Sequence, residues 1–160
     1  MRMRLIAIGI ILGLVGGIAA GAAASSHDIS KQRTVVLSIT LTKQGERDIA
    51  PKGLSAGDIL VDRFSANRNG TRAGYGNEDC RVTFPASKSS FVVQCQEFLS
   101  LKSGGRITAS GEVPVNFAKG GPQPTVFAIT GGTGNYENVR GQITTKPVGR
   151  HEVWTLHLVP

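Results

Sequence analysis

The chain has 160 residues, 40% of them apolar and 18% charged, with 21 glycines, which suits one globular domain and leaves no room for two. The glycines show no three-residue period, charged residues are too few for an exposed heptad helix, and mean hydropathy is near zero. Collagen-like, coiled-coil and multi-span membrane chains are thereby excluded. A formal charge of +7 raises nucleic acid or an anionic membrane as partners without choosing between them.

Residues 1–24 read as an export signal. Arg2 and Arg4 form a positive start, residues 5–20 are uncharged and apolar, and Ala22-Ala23-Ala24 supplies the small residues of a cleavage site after Ala24. The alternative is an uncleaved anchor, although the apolar stretch is shorter than the roughly 20 residues that span a bilayer. No cysteine follows it to carry a lipid. Residues 25–32 are a polar lead-in, and 33–160 form the folded domain, in a secreted or periplasmic setting.

From Ser25 onward no run has helical periodicity, while short β-rich segments recur between glycine, proline and asparagine punctuation. Strands are expected over 33–42, 58–64, 72–84, 90–101, 106–116, 125–130, 139–145 and 151–159, with hairpin-length connections between them. Eight strands in one small domain favour closure, because a barrel removes the unpaired edges of a flat sheet. The expected fold is all-β, an eight-stranded antiparallel, calycin-like barrel whose interior is filled by side chains or holds one small ligand.

Export implies an oxidising compartment, so Cys80 and Cys95 are first considered as a disulfide. The residues between them read as strand, polar turn and strand. One antiparallel register pairs Cys80 with Cys95, Val82 with Val93 and Phe84 with Phe91, all on one face, and sends Arg81, Thr83 and Gln94 to the other. Two buried free thiols are the alternative.

Other chemistries find little support. His27, His151 and His157 are scattered and no C-x-x-C occurs, so no metal site is expected. There is no G-x-S-x-G elbow for a nucleophilic serine. Gly131-Gly132-Thr133-Gly134 is followed by residues leading into a strand rather than a helix, which reads as a tight β-connection and not a phosphate cradle. Basic residues form no run and are not interleaved with aromatic platforms, so nucleic acid is not expected as a partner.

The run from Phe127 to Gln142, with Gly131-Gly132-Thr133-Gly134-Asn135-Tyr136 at its centre and Arg140-Gly141 at its exit, resembles the signature turn of the allene oxide cyclase and dirigent family. Gly57-Asp58-Ile59-Leu60, Asn77-Glu78-Asp79-Cys80-Arg81-Val82, Thr108-Ala109-Ser110-Gly111 and Trp154-Thr155-Leu156-His157-Leu158 fit the same family in order and character. The resemblance implies the eight-stranded barrel reached above and an activity that enforces one reactive conformation on a bound molecule. It also implies a homo-oligomer, dimer or trimer. The cyclases' first-strand carboxylate has no counterpart, because Thr34-Val35-Val36-Leu37-Ser38-Ile39-Thr40-Leu41 carries no acid. Arg140 matches the family's arginine, whereas Asn135 stands where an acid often occurs.

The function expected is binding of a hydrophobic small molecule in the lumen and guidance of its cyclisation or stereoselective coupling, without metal or cofactor and without a stable membrane span after processing. Tyr75, Phe84, Phe91, Phe98 and Trp154 are the candidates for pocket shape, and Asp62 and Arg140 for polar handles. The alternatives are a non-catalytic carrier and a surface or assembly protein with a filled barrel. Removing the signal lowers the charge from +7 to +5, a moderately basic exported barrel rather than a nucleic-acid binder.

Overall fold

The computed structural model describes residues 32–49 and 51–160. The expected signal segment, and all but Gln32 of the expected lead-in, lie outside the described residues. Among the described residues nine strands follow in order: β1 (Arg33–Arg47), β2 (Ile59–Arg68), β3 (Thr71–Ser87), β4 (Ser90–Leu101), β5 (Gly105–Asn116), β6 (Gly121–Pro122), β7 (Thr125–Gly134), β8 (Arg140–Val148) and β9 (His151–Val159). One 3-10 turn at Phe117–Lys119 precedes β6, a two-residue stub on the end of β5. The other eight pair antiparallel with their neighbours, β9 returning to β1 and β5 bridging β4 and β7, so the sheet closes into the expected eight-stranded barrel.

Alternation along each strand makes the interior. On β4, Phe91, Val93, Cys95, Glu97, Leu99 and Leu101 are buried and point inward, while Gln94, Gln96 and Phe98 point out. On β9 the inward set is Glu152, Trp154, Leu156 and Leu158. Among these apolar series stand two acids, Glu97 and Glu152.

The two barrel ends differ. One end is packed solid by Val35, Ala66, Leu99, Ile107, Ile129, Leu156 and Leu158. It is closed by the segment after β7, where the Tyr136 hydroxyl meets the Ser103 hydroxyl at 2.7 Å and the Asn135 N–H donates to the Gly104 carbonyl at 2.8 Å. Arg33 lies over the Tyr136 ring at 5.3 Å. The other end carries the connections 48–58, 88–89, 117–124 and 149–150. The first of these is pinned by Asp58, whose carboxylate accepts from the Ile49 and Ser55 N–H groups at 2.8 and 2.7 Å. Those bonds hold its pKa below the usual carboxylate value.

Three expectations are corrected. Strands run longer than the punctuation suggested: Gly131, Gly132, Thr133 and Gly134 stay paired with β5, and the reversal comes after them. Of these three glycines only Gly134 has positive φ, at 60°; Gly132 is needed because a Cβ there would strike the Tyr136 carbonyl. The predicted register holds at Cys80–Cys95 and Val82–Val93 but fails beyond, because Thr83 is an extra residue on β3. Phe84 then lies opposite Val92 and turns outward, 64% exposed, and no Phe84–Phe91 pair forms.

Candidate functional site

The lumen is filled toward the closed end and open toward the other. A cavity of about 320 Å³ occupies the open half, within the range of small-molecule sites. Its apolar wall includes Ile39, Leu60, Val93, Val113, Val115 and Phe127. On each strand the inward residues beyond the cavity are core, so the Phe64 and Trp154 rings, 5.0 Å apart and edge-on, lie where the cavity gives way to packed interior. Gly76 opposite Phe64 is what lets that ring lie against β3, since a Cβ at 76 would collide with it.

Across this apolar wall runs a polar row. Gln44 on β1 pairs with Asp62 on β2, Asp62 with Glu78 on β3, and Glu78 with Glu97 on β4, and all four line the cavity. Acids directly opposite one another across strands repel, so nothing in sheet energetics favours this row. Glu152 on β9 faces the same space and accepts from the Trp154 indole N–H at 2.9 Å.

Glu97 is 1% exposed, and among the described residues neither of its oxygens meets an N–H or hydroxyl donor. Glu78, half-buried, stands directly opposite it on β3 and lines the same space. A buried carboxylate pair of like charge holds together only by keeping a proton. Burial, then the charge of Glu78 and its hydrogen bond, push the Glu97 carboxyl well above the ordinary value. Burial also lifts Glu78, against the lowering effect of the Glu97 hydrogen bond, to about 7. The two carboxyls therefore titrate as a pair, both raised above the ordinary range. Asp62 is raised by burial, opposed by its bond to Gln44. The cations among the lining residues, Arg150 and the ionisable His151, stand at the mouth.

Behind the pair, Cys80 and Cys95 form a disulfide two residues along from Glu78 and Glu97 on the same strands. Cys80 lines the cavity, and its sulfur lies 3.0 Å from Oε1 of Glu78. Glu78, Cys80 and Cys95 cluster closely enough to suggest a metal centre. With both sulfurs in the disulfide no thiolate is left to ligate one.

Of the residues expected from sequence to shape the pocket, Asp62 and Trp154 line the cavity. Phe91 is buried against Phe117, 5.8 Å away, outside the lining. Tyr75, Phe84 and Phe98 are 59%, 64% and 39% exposed and stand on the outer face. Arg140 donates to the Asn138 and Val139 carbonyls at the closed end, at the opposite end of the barrel from the mouth that Asp62 faces. The motif residues Gly131, Gly132, Thr133, Gly134, Tyr136 and Gly141 likewise belong to the closed end and serve the fold. Glu97 and Glu152 are not singled out in the sequence, and Glu78 enters there only within a family-like segment, not as a pocket residue. Glu97 had a legible signal, a lone acid at an inward position of an apolar alternation.

Comparison with known proteins agrees with this architecture. The sequence model of the allene oxide cyclase barrel like domain matches residues 38–159. A solved pyocyanin demethylase superposes with a TM-score of 0.69 at 26% identity, covering 79% of this chain and 100% of its own. A Diels-Alderase from Streptomyces koyangensis gives 0.58 at 20% identity, over 79% of this chain and 62% of that one. A pterocarpan synthase dirigent protein gives 0.57 at 12% identity, over 80% and 88%. No curated protein matches the sequence.

Proposed function

This chain belongs to the allene oxide cyclase barrel-like family, and from that premise we propose that its lumen binds an apolar, ring-bearing small molecule, holds it in one conformation, and exchanges a proton with it through Glu97 and Glu78. The observation that carries this reading is the carboxyl of Glu97, buried in the wall of an otherwise apolar cavity and facing only another acid. Such an arrangement costs stability, and buried acids of this kind concentrate at functional sites. A carboxyl kept protonated beside one that titrates near neutrality is an acid and base pair suited to moving a proton at physiological pH.

Fit to the cavity supplies the remainder. Holding a flexible molecule in a reactive shape lowers the barrier through lost freedom already surrendered on binding. The Diels-Alderase and the dirigent protein share the fold and support no more than that. The demethylase is more alike, and its name makes pyocyanin a sensible first probe. A carrier role without turnover rests on β1, whose inward residues Val35, Leu37 and Ile39 include no acid. Residence outside the cytoplasm is part of the same reading, supported by the leader-like sequence of residues 1–24 and by the disulfide.

Trp154, the single tryptophan of the chain, stands in the cavity wall and reports occupancy. Titration with pyocyanin and a panel of apolar ring compounds should change its fluorescence saturably, with products followed by mass spectrometry. Glu97→Gln should keep binding and lose turnover, while Thr145→Phe, which fills the lumen, should lose both. Binding without turnover in the native chain selects the carrier. No saturable change with any compound, in a chain shown to be folded, defeats the proposal.

A further inference from the structure

The two ends of the barrel differ in the apolar side chains they expose. Ile49, Leu54, Phe84, Phe117 and Val148, large apolar side chains between 37% and 64% exposed, lie near strand ends or in connections at the cavity mouth, and Leu41, 46% exposed, lines the cavity from β1. The connections at the closed end, 69–70, 102–104 and 135–139, expose no large apolar side chain, since their Tyr136 and Val139 are buried. Val36, Val61, Tyr75, Phe98 and Val126 are exposed along the barrel wall, which is ordinary for a surface, whereas a set gathered at one end of the barrel and missing from the other marks a contact.

The rim is basic, as is the closed end, where Arg33, Arg68, Arg72, Lys102, Arg106 and Arg140 stand against Glu137; only the rim combines that charge with exposed apolar tips. Residues 43–58, 84–90, 116–124 and 146–151 hold Lys43, Arg47, Lys52, Lys88, Lys119, Lys146 and Arg150 against Glu46, Asp48 and Asp58, the last of which is buried and already bonded. Apolar tips set among lysines and arginines are the composition of a surface that lies in a lipid headgroup layer, with the tips in the acyl boundary and the charges on anionic lipid. The site the rim surrounds adds to this, because an apolar molecule dissolved in a bilayer would reach the lumen without crossing water.

We propose that the open rim docks on an anionic membrane surface, with Phe84 and Phe117 entering the acyl boundary and the cavity mouth facing the lipid. A second copy of the chain is the less favoured occupant, because two identical rims carrying this excess of positive charge repel on approach. Docking by the rim requires no particular ligand in the lumen and no catalysis, so it stands or falls separately from the function proposed above.

The test reads which part of the barrel meets lipid, and so is independent of any tether at residues 1–24. Full-length Phe84→Trp, Phe117→Trp and Tyr75→Trp are each mixed with vesicles of brominated phosphatidylcholine containing about 30% phosphatidylglycerol. Trp154, 2% exposed inside the barrel, sets the baseline in the native chain. Quenching at positions 84 and 117 should exceed that at 75, on the outer wall, roughly threefold or more, and should fall with added salt and with Lys88→Glu/Lys119→Glu. Equal quenching at 75 and 84, or none at 84, overturns the proposal. Equal quenching by vesicles without phosphatidylglycerol overturns its electrostatic part. A blue shift of the tryptophan at 84 that grows with protein concentration in the absence of lipid assigns the rim to a second copy instead.

Discussion

Glu78 and Glu97 stand directly opposite each other on β3 and β4, on the inner face, two residues from the Cys80–Cys95 bridge that joins the same strands. The bridge and the carboxyl pair therefore share one register. A one-residue slip between β3 and β4 would separate the acids and, by the alternation of side chains, turn one of them out of the lumen.

This pairing sets a pH dependence of stability. Glu78 moves from 4.5 to about 7 on folding, and Glu97 moves in the same direction. The folded chain accordingly binds more protons than the unfolded chain across that window, and stability falls as pH rises through it. Denaturant melts at pH 5 and pH 8 should differ by on the order of 2 kcal/mol, pH 5 being the more stable. Equal midpoints at the two pH values would show the pair to be ordinary carboxylates.

Glu97→Gln separates charge from shape. The amide fills the same volume and can donate to Glu78, yet it has no proton to release. The variant should melt higher than the native chain at pH 8 and show a flatter stability curve from pH 5 to 8. A loss of stability at pH 8 would mean that Glu97 has a stabilising partner.

The disulfide should make a further contribution. Replacing both cysteines, Cys80→Ser/Cys95→Ser, should cost about 2–4 kcal/mol in chemical denaturation, with the same loss in the native chain when reductant is present. A variant of unchanged stability would place the strand register wholly in the backbone ladder.

At the closed end, Gly132→Ala places a methyl group against the Tyr136 carbonyl, with the Arg106 carbonyl 3.0 Å away. Neither backbone group can move without breaking the turn that follows β7. Destabilisation of more than about 1 kcal/mol is expected, with the cavity unaltered, so ligand titration of the folded fraction should be unchanged.

The connection 48–58 offers a local readout. Asp58 accepts the Ile49 and Ser55 N–H groups and the Ser55 hydroxyl, and its lowered pKa means these bonds stabilise above pH 3.8 and are lost as pH falls below it. Asp58→Ala should speed proteolytic cleavage within 48–58 at neutral pH, while the barrel strands stay protected. Equal cleavage rates would show the loop to be held elsewhere.

Strand number, closure and the Cys80–Cys95 pairing were legible in the sequence, because alternation and turn residues act over a few neighbours. Strand limits were less so. Gly131 to Gly134 look like a loop when taken alone, but pairing with β5 satisfies their backbone groups and keeps them in the sheet. The aromatic residues misled for a related reason. Tyr75 and Phe98 are large and apolar, yet parity on their strands sends them outside, and the Thr83 bulge does the same to Phe84.

The sequence by itself therefore determined an all-β barrel with a bridge between its third and fourth strands, since those features follow from local periodicity and a single hairpin register. Only the closed tertiary structure decided what the lumen contains. Asp62, Glu78 and Glu97 are unremarkable acids in three separate segments until the pairing of β2, β3 and β4 aligns them, and burial then raises the pKa of each. Charge, likewise, was legible only as a total; closure set basic residues at both ends of the barrel and exposed apolar side chains around the mouth alone of the two.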